Sequence, residues 1–99
     1  MIARMWHGRT PTAKADEYLA LLRSKALPDY RSKPGNLAAH ILRRKEGDVT
    51  HFITLTFWPS LQAIQDFTGP DVNRAVYYPE DTNFLLEFEP TVEHWELHW

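Results

Sequence analysis

Apolar residues in this chain switch between two periods, and the switches mark out its elements. Met1 to His7 is short, apolar-biased and closed by Gly8, which suits a buried strand better than a helix. Thr10-Pro11 then supplies a cap and a pre-set first turn. Ala15, Tyr18, Leu19, Leu22 and Ala26 follow at the spacing of one helical face, and Pro28 is expected to end that helix. Tyr30 to Gly35 is rich in breakers and reads as a loop. Leu37 to Leu42 alternates, and so does Thr50 to Trp58, which predicts a hairpin about Gly47. Pro59-Ser60 stops the second run and caps an amphipathic helix carrying Leu61, Ile64 and Phe67, which Gly69-Pro70 terminates. Thr91 to Trp99 is the last strand, with Glu93, Trp95, Leu97 and Trp99 on one face and Val92, His94, Glu96 and His98 on the other.

Strand, helix, strand, strand, helix, strand is the split βαβ order of an α+β, ferredoxin-like fold, βαββαβ: a four-stranded antiparallel sheet with two helices on one face. In the third strand His51, Ile53, Leu55 and Phe57 are expected under the helices, which leaves Phe52 and Trp58 flanking Thr54 and Thr56 on the other face. Both faces then carry large apolar groups. The uncovered one predicts a second copy of the chain as its cover, a homodimer.

Size and charge narrow the function. With 99 residues there is room for a single domain, 1–99, with one core. A net charge of -2 offers no broad attraction to nucleic acid or to anionic lipid, so neither is an expected partner. The absence of cysteine excludes disulfides and thiolate metal sites. No apolar run reaches the length of a signal peptide or a membrane span, and the expected location is cytoplasmic.

Two stretches hold groups capable of chemistry. RAVYYPED, residues 74 to 81, brings an arginine, two tyrosines and two acids together. Adjacent helical residues lie about 100° apart, so one tyrosine can face a cavity while the other packs and Pro79 ends the turn. His94, Glu96 and His98 share a strand parity that can present two imidazoles to a metal, with His40 or His51 as a third ligand. Plain half-buried alternation accounts for the same residues, and no metal is predicted. Histidine as a residue type changes charge nearest neutrality, which makes His7 a candidate base as well as a candidate packed residue.

The segments MIARMWHG, ADEYLALLR, LPDYRSKPGN, FITLTFWPSLQAIQDFTG, RAVYYPED and EPTVEHWELHW together resemble the antibiotic biosynthesis monooxygenase superfamily, over essentially the whole chain. That resemblance implies a dimeric α+β barrel with a pocket between sheet and helices in each chain. It implies one of several activities, among them cofactor-independent oxygenation of small aromatic, polyketide-like compounds and degradation of heme. At the positions where the heme-degrading branch carries an asparagine, a tryptophan and an iron-ligating histidine, this chain has His7, Phe67 and Tyr77, which turns the expectation away from heme. The oxygenase reading needs no metal or organic cofactor. It requires a flat apolar site, removal of a proton and support for an oxyanion. The residues expected to supply these are His7 as base, Arg74 and Tyr77 as donors to the oxyanion, and Met5, Trp58 and Phe67 as walls for a small aromatic ligand. A non-catalytic small-molecule-binding dimer, or an isomerase or lyase on the same frame, is the alternative.

Overall fold

In the computed structural model, which describes residues 1–98, the expected order is present. Strand β1 (Ile2–Pro11) leads into a helical rod, β2 (Ala38–Glu46) and β3 (Val49–Trp58) form the hairpin, and β4 (Glu93–Glu96) closes the sheet. The sheet order is β2-β3-β1-β4, antiparallel throughout, so the two central strands are the first and the third. β4 is shorter than the predicted last strand, and its expected end at Trp99 lies outside the described residues. Among the described residues no helix is long and apolar enough to cross a membrane.

The first helical rod passes Pro28 instead of stopping there. A 3-10 turn at Thr12–Lys14 runs into α1 (Ala15–Leu21), a π-turn at Leu22–Ala26, and α2 (Leu27–Ser32). Proline lacks an N–H and its ring crowds the carbonyl four residues earlier, here Ser24; the widened π-turn before it relieves that crowding and lets the helix continue. Tyr30, expected in a loop, is therefore helical and buried. The second helix, α3 (Leu61–Thr68), starts as predicted, with the Ser60 hydroxyl accepting from the Ala63 amide.

The two faces of β3 are the reverse of the expectation. Thr50, Phe52, Thr54, Thr56 and Trp58 lie under the helices and are buried, whereas His51, Ile53, Leu55 and Phe57 face outward. The two threonines between the large rings explain the choice. They leave space for rings from the helices: Tyr18 meets Phe52 with centroids 5.1 Å apart, Phe67 stacks on Trp58 at 6.3 Å, and the Tyr30 hydroxyl donates to Thr54 Oγ1 at 3.2 Å. A strand that interlocks with aromatic helices needs small residues where the rings enter.

Residues 69–92 return from α3 to β4, and RAVYYPED belongs to this segment. Pro79 begins a short 3-10 helix (Pro79–Asn83) rather than ending one, and Tyr77 and Tyr78 precede it outside any helix. Asp81 locks the turn. Its carboxylate accepts from the Tyr78 amide at 2.7 Å and from the buried Tyr18 hydroxyl at 3.0 Å. Tyr78 donates to Asp29 at 2.6 Å, and Lys25 holds Glu80, so the segment is fastened to the first helical rod at three points.

Candidate functional site

Registers across the sheet place the outward side chains in rows. One end of the outer face is largely apolar: Ala38, Phe57, Ala3 and Trp95 lie in one row, and in the next Leu55 and Met5 lie between His40 and Glu93. The following rows change character, first Leu42, Ile53 and His7, then Arg44, His51 and Arg9. A cavity of about 200 Å³ opens among His7, Leu42, Arg43, Arg44, His51 and Ile53. The polar end of the sheet thus holds an open site beside two imidazoles.

Hydrogen bonding orders those imidazoles. Glu89 Oε2 lies 2.5 Å from His7 Nδ1, and His7 Nε2 lies 2.9 Å from His51 Nδ1. A carboxylate at neutral pH only accepts, so His7 carries its proton on Nδ1 and offers Nε2 as an acceptor, which His51 fills with its own Nδ1–H. His51 Nε2 is then an acceptor as well. It is buried without a hydrogen-bond partner, 3.5 Å from Glu46 Oε1. Glu89 is itself held in place, since Tyr77 donates to its backbone carbonyl at 2.5 Å. Burial raises the Tyr77 hydroxyl above its ordinary value and keeps it a donor. Beside this array Glu87 grips Arg9 through two bonds, the shorter at 2.6 Å.

A different cluster lies on the inner face. Arg4 is 3% exposed; its guanidinium donates to the carbonyls of Val72 at 2.6 Å and Arg74 at 2.9 Å and to His94 Nε2 at 3.1 Å, and it lies over the Phe67 ring. Burial lowers it to about 10, and burial pushes Tyr30 up to about 12. His94 is lowered by burial and then by the neighbouring Arg4 charge. This cluster pins residues 72–74 beneath the sheet. Its place was legible only in the parity of β1, where Arg4 shares a face with Trp6.

The six site residues expected from the sequence therefore fall in separate places. His7 and Met5 are on the outer face, while Trp58 and Phe67 stack together on the inner one, so the two pairs do not line one pocket. The predicted space between sheet and helices is taken by aromatic rings, with Tyr30 packed edge-on against Phe67 at 4.9 Å. Tyr77 joins His7 through Glu89, a residue no sequence motif singles out, because it reaches the site from a segment 82 positions away. Arg74 spends its side chain on the carbonyl of Thr68 at 2.9 Å. His51, absent from the expected catalytic set, is brought to His7 by the register of β3.

No family model and no curated protein matches the chain by sequence. Solved structures do match its fold. One is an antibiotic biosynthesis monooxygenase, 19% identical, with a TM-score of 0.71 over 99% of each chain. Another is a variant of MhuD with two manganese protoporphyrin IX molecules bound per active site, also 19% identical, with a TM-score of 0.60 over 98% of this chain and 94% of that one. At this identity the likeness establishes a shared fold.

A porphyrin does not fit the residues present. Phe67, Tyr30 and Trp58 interlock between the helices and the sheet and leave no gap there for a flat plate of that size. His94, the imidazole on that face, has its Nε2 occupied by Arg4, and the Tyr77 hydroxyl is bonded to Glu89. The shared frame does not carry a heme site with it.

Proposed function

We propose that the chain is a cofactor-independent monooxygenase that takes a proton from a small activated aromatic compound at the polar end of the outer sheet face. The observation that carries this reading is the Glu89, His7, His51 array beside an open cavity of about 200 Å³. An engineered cavity of about 150 Å³ holds benzene, so a single-ring compound suits this site better than a tricyclic polyketide. In the proposed reaction the substrate displaces the His51 contact and hands its proton to His7 Nε2, while Glu89 stabilises the resulting imidazolium at Nδ1. The carbanion left behind reacts with oxygen: a C–H pair is replaced by a carbonyl, one oxygen atom enters the product and the other leaves as water. Tyr77 acts here through Glu89, and Phe67 and Trp58 support the sheet from beneath.

The apolar rows of the outer face are the proposed seat of a second copy. Trp95 is 56% exposed in the single chain, in the rows of Met5, Leu55 and Phe57, and Leu37, 55% exposed, borders Phe57. An isomerase using the same base without oxygen is the second reading, favoured by the array's being built for proton transfer alone. Oxygen consumption with single-ring hydroquinones tests the first. His7→Gln and Glu89→Gln are each expected to slow uptake by about 10²-fold or more. Unchanged uptake in both removes His7 as the base, and proton exchange with solvent without oxygen uptake selects the isomerase.

A further inference from the structure

The cavity beside His7 has an imbalance of charge. Two arginines around it already have an acid, Arg9 with Glu87 and Arg43, which reaches away to Asp16 at 2.8 Å, and the Glu89 carboxylate is taken up by His7 Nδ1. Arg44 makes no ion pair among the described residues. It stands on β2 directly across from His51, in the row next to Leu42 and Ile53. The other acid near this row, Glu46, lies against His51 Nε2. The lining is thus an apolar pair on one side, an unmatched guanidinium at one corner and an imidazole pair opposite.

We infer that this cavity binds small aromatic acids, with a carboxylate or phenolate oxygen on Arg44, the ring against Leu42 and Ile53, and the position that loses its proton toward the His7–His51 pair. This rests on the proposed proton-transfer reading for the role of His7, but the anchoring by Arg44 is a matter of binding alone. Guanidinium suits the task because its planar fork can meet both oxygens of a carboxylate, a geometry a lysine lacks. The site is open to solvent, so the attraction is screened by salt.

The test is a titration of the intact protein with benzoate and with its neutral counterpart benzamide, followed by the ring-proton resonances of His7 and His51 at low ionic strength. Benzoate is expected to bind about tenfold more tightly than benzamide. That preference is expected to vanish in Arg44→Gln and to shrink in high salt. Arg44 is exposed at the sheet edge, and an unchanged melting temperature confirms that the variant is folded. Equal affinities in the wild type, an unaltered preference in Arg44→Gln, or no binding of either compound overturns the inference. Turnover of a neutral hydroquinone that depends on His7 while benzoate shows no preference sinks the anion anchor and leaves the proton-transfer reading standing. A clear benzoate preference with turnover indifferent to His7 does the reverse.

Discussion

At Gly8 a single added carbon collides with two buried side chains. A Cβ added there meets Trp6 Cη2 at 2.5 Å, Trp6 Cζ2 at 2.7 Å and Leu85 Cδ2 at 3.0 Å. Carbon atoms sit comfortably at about 3.5–4.0 Å, so Gly8→Ala demands roughly 1 Å of movement from the indole. Neither neighbour is free to give it: Trp6 is 7% exposed, Leu85 is 8% exposed, and the Trp6 ring meets Tyr77 edge-on. Overpacking of this kind costs about 2–3 kcal/mol, or roughly 10–20 °C of melting temperature in a domain of this size. Gly47→Ala is the contrasting control. Nothing lies within 4 Å of its added Cβ, and the cost there comes only from its φ of +62°, about 1 kcal/mol. The assay is thermal and urea unfolding of both variants at one protein concentration, together with Trp6→Leu and the Gly8→Ala/Trp6→Leu double variant. The double variant is expected to be markedly less destabilised than the sum of the singles, because removing the indole removes the clash. A Gly8→Ala protein within about 0.5 kcal/mol of wild type, or strict additivity in the double variant, refutes the packing argument. The consequence extends to the site, since a displaced Trp6 pushes on Tyr77, which holds Glu89 and through it His7.

Two other expectations follow from the same contacts. His94 is held below its ordinary value of 6.5, so its contribution to stability is fully present above that pH and is lost as the pH falls through the depressed folded value. Melting temperatures from pH 8 to pH 5 should therefore fall more steeply for the wild type than for His94→Gln, and parallel curves contradict the burial of His94 beside Arg4. Leu55→Asp places a charge in the middle of the apolar rows; sedimentation at micromolar concentration is expected to give twice the 11.6 kDa chain mass for the wild type and the single chain for the variant. A wild type that sediments as a single folded chain removes the second copy from that face.

Periodicity was enough to place the strands and helices, because the pattern of burial that drives folding is written directly into residue spacing. It also ordered them into the antiparallel sheet that the structure contains. The places where it fell short have definite causes. Pro28 carries a stop signal that a π-turn can absorb, and a propensity rule counts the proline without knowing that the turn ahead of it widens. Hydrophobicity ranked Ile53, Leu55 and Phe57 above Thr54 and Thr56 as core residues, but steric fit against Tyr30 and Phe67 turned the threonines inward. Tyr77 and Tyr78 are not helical neighbours because the backbone around them is set by Asp81, a buried carboxylate raised by desolvation and bonded to Tyr18.

Of the functional residues, His7 and Tyr77 were visible as residue types, and their connection was not. Glu89, His51 and Arg44 reach the same corner from three separated segments, two of them paired strands whose register no single-chain pattern reveals. The sequence by itself determined the elements, their order and the amphipathic character of each, since those depend on neighbours three or four positions away at most. Only the tertiary structure decided which sheet face meets the helices and which side chains share a cavity, because both depend on how large rings interlock across strands far apart in the chain.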